Sequence, residues 1–180
     1  MIIGIDVDDT ITKTTKTLNK IPGMTKELFH QIVSNPKSIP NLNERLNEIF
    51  GNIDVFTNAI EVINELKSKG NKIIIITARG SQGLDDLVPI TKEFIKKIDL
   101  NVDEIIFYQE RKGDACKKVG VDIFIDDNEI VLDEVKEKGI PTIRFSTKNV
   151  VSNHKVLHSW LEIKKYIERM GEKNGKNNWC

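Results

Sequence analysis

Five short runs rich in isoleucine and valine constrain this chain more than any other feature. They are Ile2–Val7, Lys72–Ile76, Glu104–Phe107, Asp122–Ile125 and Thr142–Phe145. Several are apolar at every position rather than at alternate ones, the pattern of strands covered on both faces. Amphipathic segments separate most of them. Within Asn58–Lys69, the residues Ala59, Val62, Ile63 and Leu66 share one face, and Gly70 stops the helix. Leu87–Ile98 carries Pro89 near its start, where proline is tolerated, and presents Ile90, Phe94 and Ile98 for burial. Asp114–Val119 ends at Gly120, and Glu129–Lys138 ends at Gly139. This alternation predicts an α/β fold: a doubly wound, parallel five-stranded sheet.

Residues 11–57 break the rhythm, being far too many for a plain crossover. Helical patterns over Thr25–Val33 and Leu42–Phe50, separated by Asn35-Pro36 and Ile39-Pro40, predict a small helical cap inserted after the first strand. The amphipathic spacing of Leu42, Leu46, Ile49 and Phe50 argues against a disordered linker. Residues 1–10 and 58–170 then form the core domain. Val156–Met170 reads as a closing helix packed through Trp160, Leu161, Ile163 and Ile167, and polar residues 171–180 as a flexible tail.

Composition removes some function classes. Lys plus Arg and Asp plus Glu are both 27, so no global field draws the chain to a nucleic acid polymer or an anionic membrane. Cys116 and Cys180 are too few for a disulfide framework, and Cys116 reads as a small core residue. The apolar start meets Asp6, Asp8 and Asp9 too soon for a signal peptide, and no stretch approaches the length of a membrane span. A cytoplasmic location is expected; oligomeric state is not legible.

The chemistry gathers where apolar runs stop. The first ends in Asp6-Val7-Asp8-Asp9-Thr10, and a later one in Asp126-Asp127-Asn128. The carboxyl edge of an α/β sheet is where ligands bind, above all at a topological switch point. Carboxylates crowded there are costly unless a cation or hydrogen-bond donors neutralise them. Alternation places the Asp6 and Asp8 side chains on one side of an extended segment, roughly 6 to 7 Å apart. A hard cation can take one and leave the other for proton transfer. Thr77, Ala78, Arg79 and Gly80 close another strand with a hydroxyl, backbone amides and a guanidinium suited to phosphate oxygens. Lys112 opens the helix before the fourth strand, where an ammonium offsets the negative charge.

Asp-x-Asp-x-Thr after the first strand, Thr77 after the second, Lys112 at a helix start and Asp126-Asp127 after the fourth resemble the four motifs of the haloacid dehalogenase superfamily, over residues 2–145. The Thr77-Ala78-Arg79 pattern, the Asp126-Asp127-Asn128 ending and the helical insertion are similar to its 5′(3′)-deoxyribonucleotidase branch. The chain departs in having Asp9 where many members have glycine, though Asp tolerates the left-handed conformation better than most residues. The resemblance implies a phosphomonoester hydrolase in which Asp6 attacks phosphorus to give an aspartyl-phosphate. Asp8 would be the general acid and base, and Lys112 and Thr77 would bind the phosphoryl oxygens. It implies Mg2+ held by the Asp6 carboxylate, the Asp8 backbone carbonyl and Asp126, with Asp127 as a further candidate. The partner implied is a small phosphorylated substrate, with a nucleotide suspected.

Blander readings stand beside these. Asp6 and Asp8 alone read as turn or cap residues, but two aligned acidic strand ends fit that poorly. Arg79 reads equally as a substrate contact or a surface cation. Arg111, Lys117 and Lys118 rival Lys112, which stands at the helix start, whereas Lys117 and Lys118 lie in the body of the helix. His30, His154 and His158 have no ligand partners at short spacing, and Trp160 and Trp179 form no stacking platform. Competing functions are a sugar-phosphate phosphatase, a phosphomutase, a dehalogenase or phosphonate hydrolase, and a non-catalytic phosphate- or metal-binding module.

Overall fold

The computed structural model describes residues 1–20 and 41–176. The predicted Thr25–Val33 helix, His30, Trp179 and Cys180 lie outside the described residues. Six parallel strands form one sheet: β1 (Ile2–Ile5), β2 (Lys72–Ile76), β3 (Glu104–Ile106), β4 (Ile123–Asp126), β5 (Thr142–Phe145) and β6 (Lys155–Leu157). Their order is β3-β2-β1-β4-β5-β6. The chain leaves β1 toward one edge and returns to β4 beside it, so the switch point falls between the two acid-ended strands.

The continuous isoleucine runs are two-faced. Ile73 and Ile75 pack with Ile3 and Ile5 under helices α3 (Ala59–Ser68) and α7 (Trp160–Lys176). Ile74, Ile76 and Phe124 face the other way, beneath α5 (Gly113–Lys118) and α6 (Glu129–Glu137). All of these strand side chains are fully buried. Such burial stabilises by about 1.5–3 kcal/mol per large aliphatic side chain. Gly4 is required where β1 meets β4, since a Cβ there would lie 2.7 Å from the Phe124 ring.

After β1 come α1 (Thr14–Leu18) and α2 (Leu42–Phe50) of the insertion. A short backbone stem ties its two ends, with Lys13 N donating to Asp54 O (2.7 Å) and Phe56 N to Ile11 O (2.8 Å). Leu46, Ile49 and Phe50 of α2 pack on Leu87, Ile90 and Phe94 of α4 (Leu87–Lys97).

Four expectations are corrected. The sheet has six strands, because Lys155–Leu157 pairs with β5 where a helix start was expected. Three residues with one alternation are too few to announce a strand, and it exists only because β5 offers it an edge. The closing helix starts at Trp160 with Ser159 as its cap: Glu162 N donates to Ser159 Oγ (3.3 Å), and Glu162 Oε2 accepts from His158 N (2.7 Å). It continues to Lys176, where a flexible tail from Gly171 was expected. The helix carries Gly171 and Gly175, each costing only about 1 kcal/mol, and the helix formers around them offset this. Leu161 is 49 % exposed, pointing away from the buried Trp160, Ile163 and Ile167.

Candidate active site

Neighbouring parallel strands bring their carboxyl ends together, and the acids come with them. Asp6 N donates to Ile125 O (2.9 Å), so the residue after β1 sits beside the last residues of β4. Carboxylate oxygens of Asp6, Asp126 and Asp127 lie within 4.8 Å of one another. Lys112, the residue preceding α5, reaches between them: its Nζ donates to Asp6 Oδ1 (2.5 Å) and Asp126 Oδ2 (2.8 Å). Asp6, Lys112 and Asp126 are all buried. Asp126 Oδ1 also accepts from Asn128 N (2.9 Å), and Asn128 caps α6 through Ile130 N (3.0 Å). Helix capping thereby sets the direction of the Asp126 carboxylate.

One ammonium cannot neutralise three carboxylates. Burial raises the Asp6 carboxyl well above its ordinary value, Lys112 opposes this, and Asp126 and Asp8 reinforce it. Burial also lifts Asp127, helped by Asp126 and Asp9, to about 7. Burial alone would lower the Lys112 ammonium, but Asp6 and Asp126 outweigh it and hold it above the usual lysine value. An all-oxygen donor set with uncompensated negative charge fits a hard divalent cation such as Mg2+.

Asp8 stands apart from that trio. Its side chain is 35 % exposed, toward a cavity, and Arg79 grips it by a two-pronged ion pair: Nε to Oδ2 (3.0 Å) and Nη2 to Oδ1 (2.8 Å). Thr14 of α1 donates to the same carboxylate (2.5 Å). Burial acts to raise the Asp8 carboxyl, but Arg79, Thr14 and Lys112 together bring it below the ordinary range. The carboxylate of Asp8 is thus outside the metal-candidate group, which leaves its backbone carbonyl as the atom expected at a cation.

Arg79 is not a surface cation. It is 4 % exposed, its Nη1 donates to Thr91 Oγ1 (3.1 Å), and its guanidinium lies 5.0 Å from the centre of the Phe50 ring. Sequence gave no sign of this, because Asp8, Thr14, Phe50 and Thr91 are scattered along the chain. Thr77 is fully buried at the end of β2, and its Oγ1 accepts from Arg79 N (3.2 Å), leaving the hydroxyl proton for another acceptor. Ala78 is exposed at the same cavity. Asp9 adopts φ 54°, and its carboxylate accepts from Thr15 N (3.0 Å), so the residue in the glycine position also caps α1.

The cavity beside Asp8 measures about 330 Å³ and is bordered by α1, α2 and the segment after β2. A larger recess of about 810 Å³ lies between α2 and α4 and contains none of the strand-end acids. Elsewhere Glu129, Asp133 and His154 also converge, a grouping that short sequence spacing could not reveal. Those groups are already partnered: Glu129 by Arg144, Ser152 and Asn153 N, and His154 by Thr142 (2.7 Å) and Asp133 (3.1 Å). Cys116 is buried in the core, and burial pushes its thiol up to about 12.

No protein-family model matches the chain, and no curated protein resembles it closely in sequence. Solved structures resemble it in fold. A haloacid dehalogenase-like hydrolase from Streptococcus pneumoniae aligns at TM-score 0.62 and 14% identity, covering 92% of this chain and 97% of the other. A predicted phosphoglycolate phosphatase from Haemophilus somnus aligns at TM-score 0.62 and 13% identity, with the same coverage. The L-2-haloacid dehalogenase from Xanthobacter autotrophicus, with chloropropionic acid covalently bound, aligns at 0.61 and 10%, covering 93% and 98%. The chain shares the fold of these haloacid dehalogenase-type hydrolases. Among the described residues, no helix is long and apolar enough to cross a membrane.

Proposed function

We propose that this chain is a Mg2+-dependent phosphomonoester hydrolase of nucleotidase-like type, working through an aspartyl-phosphate on Asp6. The observation that carries the reading is the Asp6, Asp126 and Asp127 cluster closed by Lys112, with a separate acid, Asp8, facing the cavity. A dehalogenase needs no second acid beside its nucleophile, because halide leaves without a proton. An alkoxide does need one, and the position of Asp8 beside the cavity supports that role.

Mg2+ would be held by Asp6, Asp126, Asp127 and the Asp8 carbonyl, and would supply charge neutralisation of the phosphoryl group. Lys112 occupies Asp6 Oδ1, and Asp6 Oδ2 has no hydrogen-bond partner among the described residues. That oxygen attacks phosphorus while the bond to the alcohol oxygen breaks; Asp8, ionised in its ion pair with Arg79, takes the proton carried by the phosphate monoanion and passes it to the departing oxygen. Asp8, then ionised, takes a proton from water as that water displaces Asp6 from phosphorus. Thr77 and Lys112 hold the phosphoryl oxygens throughout. Arg79 fixes the direction of Asp8. A panel of phosphate esters assayed with and without Mg2+ tests the reading. Hydrolysis that requires Mg2+ and vanishes in Asp6→Asn is expected; metal-independent dehalogenation of a 2-haloacid, with no ester cleaved, would overturn it.

A further inference from the structure

The cavity that receives the departing alcohol has an uneven lining. On one side lie Leu18 of α1, Leu46 and Phe50 of α2, and Leu84 and Leu87 beyond β2. On the other lie the carboxylates of Asp8, Asp9 and Glu110. Arg79 is the one cation lining it among the described residues, and it has nothing to spare. Two of its nitrogens are bound to Asp8, a third to Thr91, and one face of the guanidinium covers Phe50. Glu110 is exposed, and no described cation pairs with it.

A second anionic group on the substrate would therefore meet Asp9 and Glu110, and among the described residues no free positive charge lines the cavity to receive it. An uncharged alcohol with an apolar face would lie against the leucines and Phe50 and displace water from them. We infer that the site selects monophosphate esters of uncharged alcohols with a flat or bulky apolar face. It rejects esters whose alcohol part carries a carboxylate or a further phosphate. Rejection arises from repulsive placement as much as from attraction.

This rests on the phosphomonoesterase reading, and the test separates the two. Benzyl phosphate and 4-carboxybenzyl phosphate differ by one distant carboxylate, and 4-carbamoylbenzyl phosphate matches the second in size without its charge. With Mg2+, kcat/KM is expected to be at least about tenfold higher for benzyl phosphate, and also higher than for ethyl phosphate. In Glu110→Gln, turnover of 4-carboxybenzyl phosphate is expected to rise several-fold, narrowing the gap. Calorimetry with the two matching phosphonates, which cannot be hydrolysed, reads selection without chemistry. Equal binding of the phosphonates, or a preference for the carboxylated one, overturns the inference. Discriminating phosphonate binding with no ester hydrolysed leaves the inference standing and removes the proposed reaction.

Discussion

The two carboxylates nearest the start of the chain, Asp6 and Asp8, are two residues apart and live in opposite settings. Asp6 is buried among like charges and raised, with one shared ammonium to steady it. Asp8 borders a cavity and is lowered, gripped by a guanidinium of its own. The first setting is built wholly from the ends of β1 and β4 and the residue before α5. The second borrows Thr14 and Phe50 from the insertion and Thr91 from α4. Without a cation these directions run against the proposed roles, since a nucleophile must be ionised; Mg2+ beside the trio would bring the Asp6 carboxyl down.

Breaking the first setting should cost most. Asp6→Asn is expected to lower the rate of ester hydrolysis by a factor on the order of 10⁴ or more, with the protein still folded by circular dichroism. Chelation followed by metal removal should have a comparable effect, restored by added Mg2+. Retained turnover in either case would show that the trio is only structural.

Lys112→Ala comes next, at about 10²–10³-fold in kcat/KM. It also leaves buried carboxylates without their cation, so the variant should melt earlier than wild type at pH 8. Lys117→Ala, on the exposed face of α5, should match wild type in both respects. Indistinguishable rates for the two variants would mean that Lys112 is not the phosphate ligand.

The second setting should yield a smaller loss of a different kind. Arg79→Lys keeps the charge but loses the planar fork, and about 10- to 100-fold in kcat is expected, with KM changed less. The basic limb of the pH–rate profile should move upward, because Asp8 holds its proton to higher pH once the two-pronged grip is lost. A profile that does not move would limit Arg79 to packing.

The smallest effect concerns stability. Asp127 titrates near 7 in the folded metal-free protein and near 4 when unfolded. Between about pH 4 and 7 the folded carboxyl keeps a proton that the unfolded one has lost, so its contribution to stability falls as pH rises through that window. Asp127→Asn should therefore raise Tm more at pH 8 than at pH 5, by about 2–4 °C, and saturating Mg2+ should reverse the sign at pH 8. Equal shifts at both pH values would place Asp127 outside the charged cluster.

Much of the acid trio could be read in advance because strand ends are local events. An apolar run that stops at Asp6 or Asp126 announces both the strand and the edge to which its acid belongs, and the switch point does the rest. Lys112 was legible for the same reason, as the residue that opens a helix. Arg79 was not. Whether it meets solvent, a phosphate or a carboxylate depends on the fold around Asp8, and no local pattern encodes that. The edge strand β6 escaped notice for a related reason, since three residues carry too little periodicity.

The sequence by itself determined the layers of this protein and the edge at which its acids would collect. Residue-by-residue hydrophobicity is enough to decide which segments are covered on both faces, and alternating elements admit few arrangements. Only the tertiary structure decided which charges pair. Coulomb interactions act through space between Arg79 and Asp8, 71 positions apart, and between Lys112 and Asp6, 106 apart. Their strength is set by the burial that the completed fold imposes.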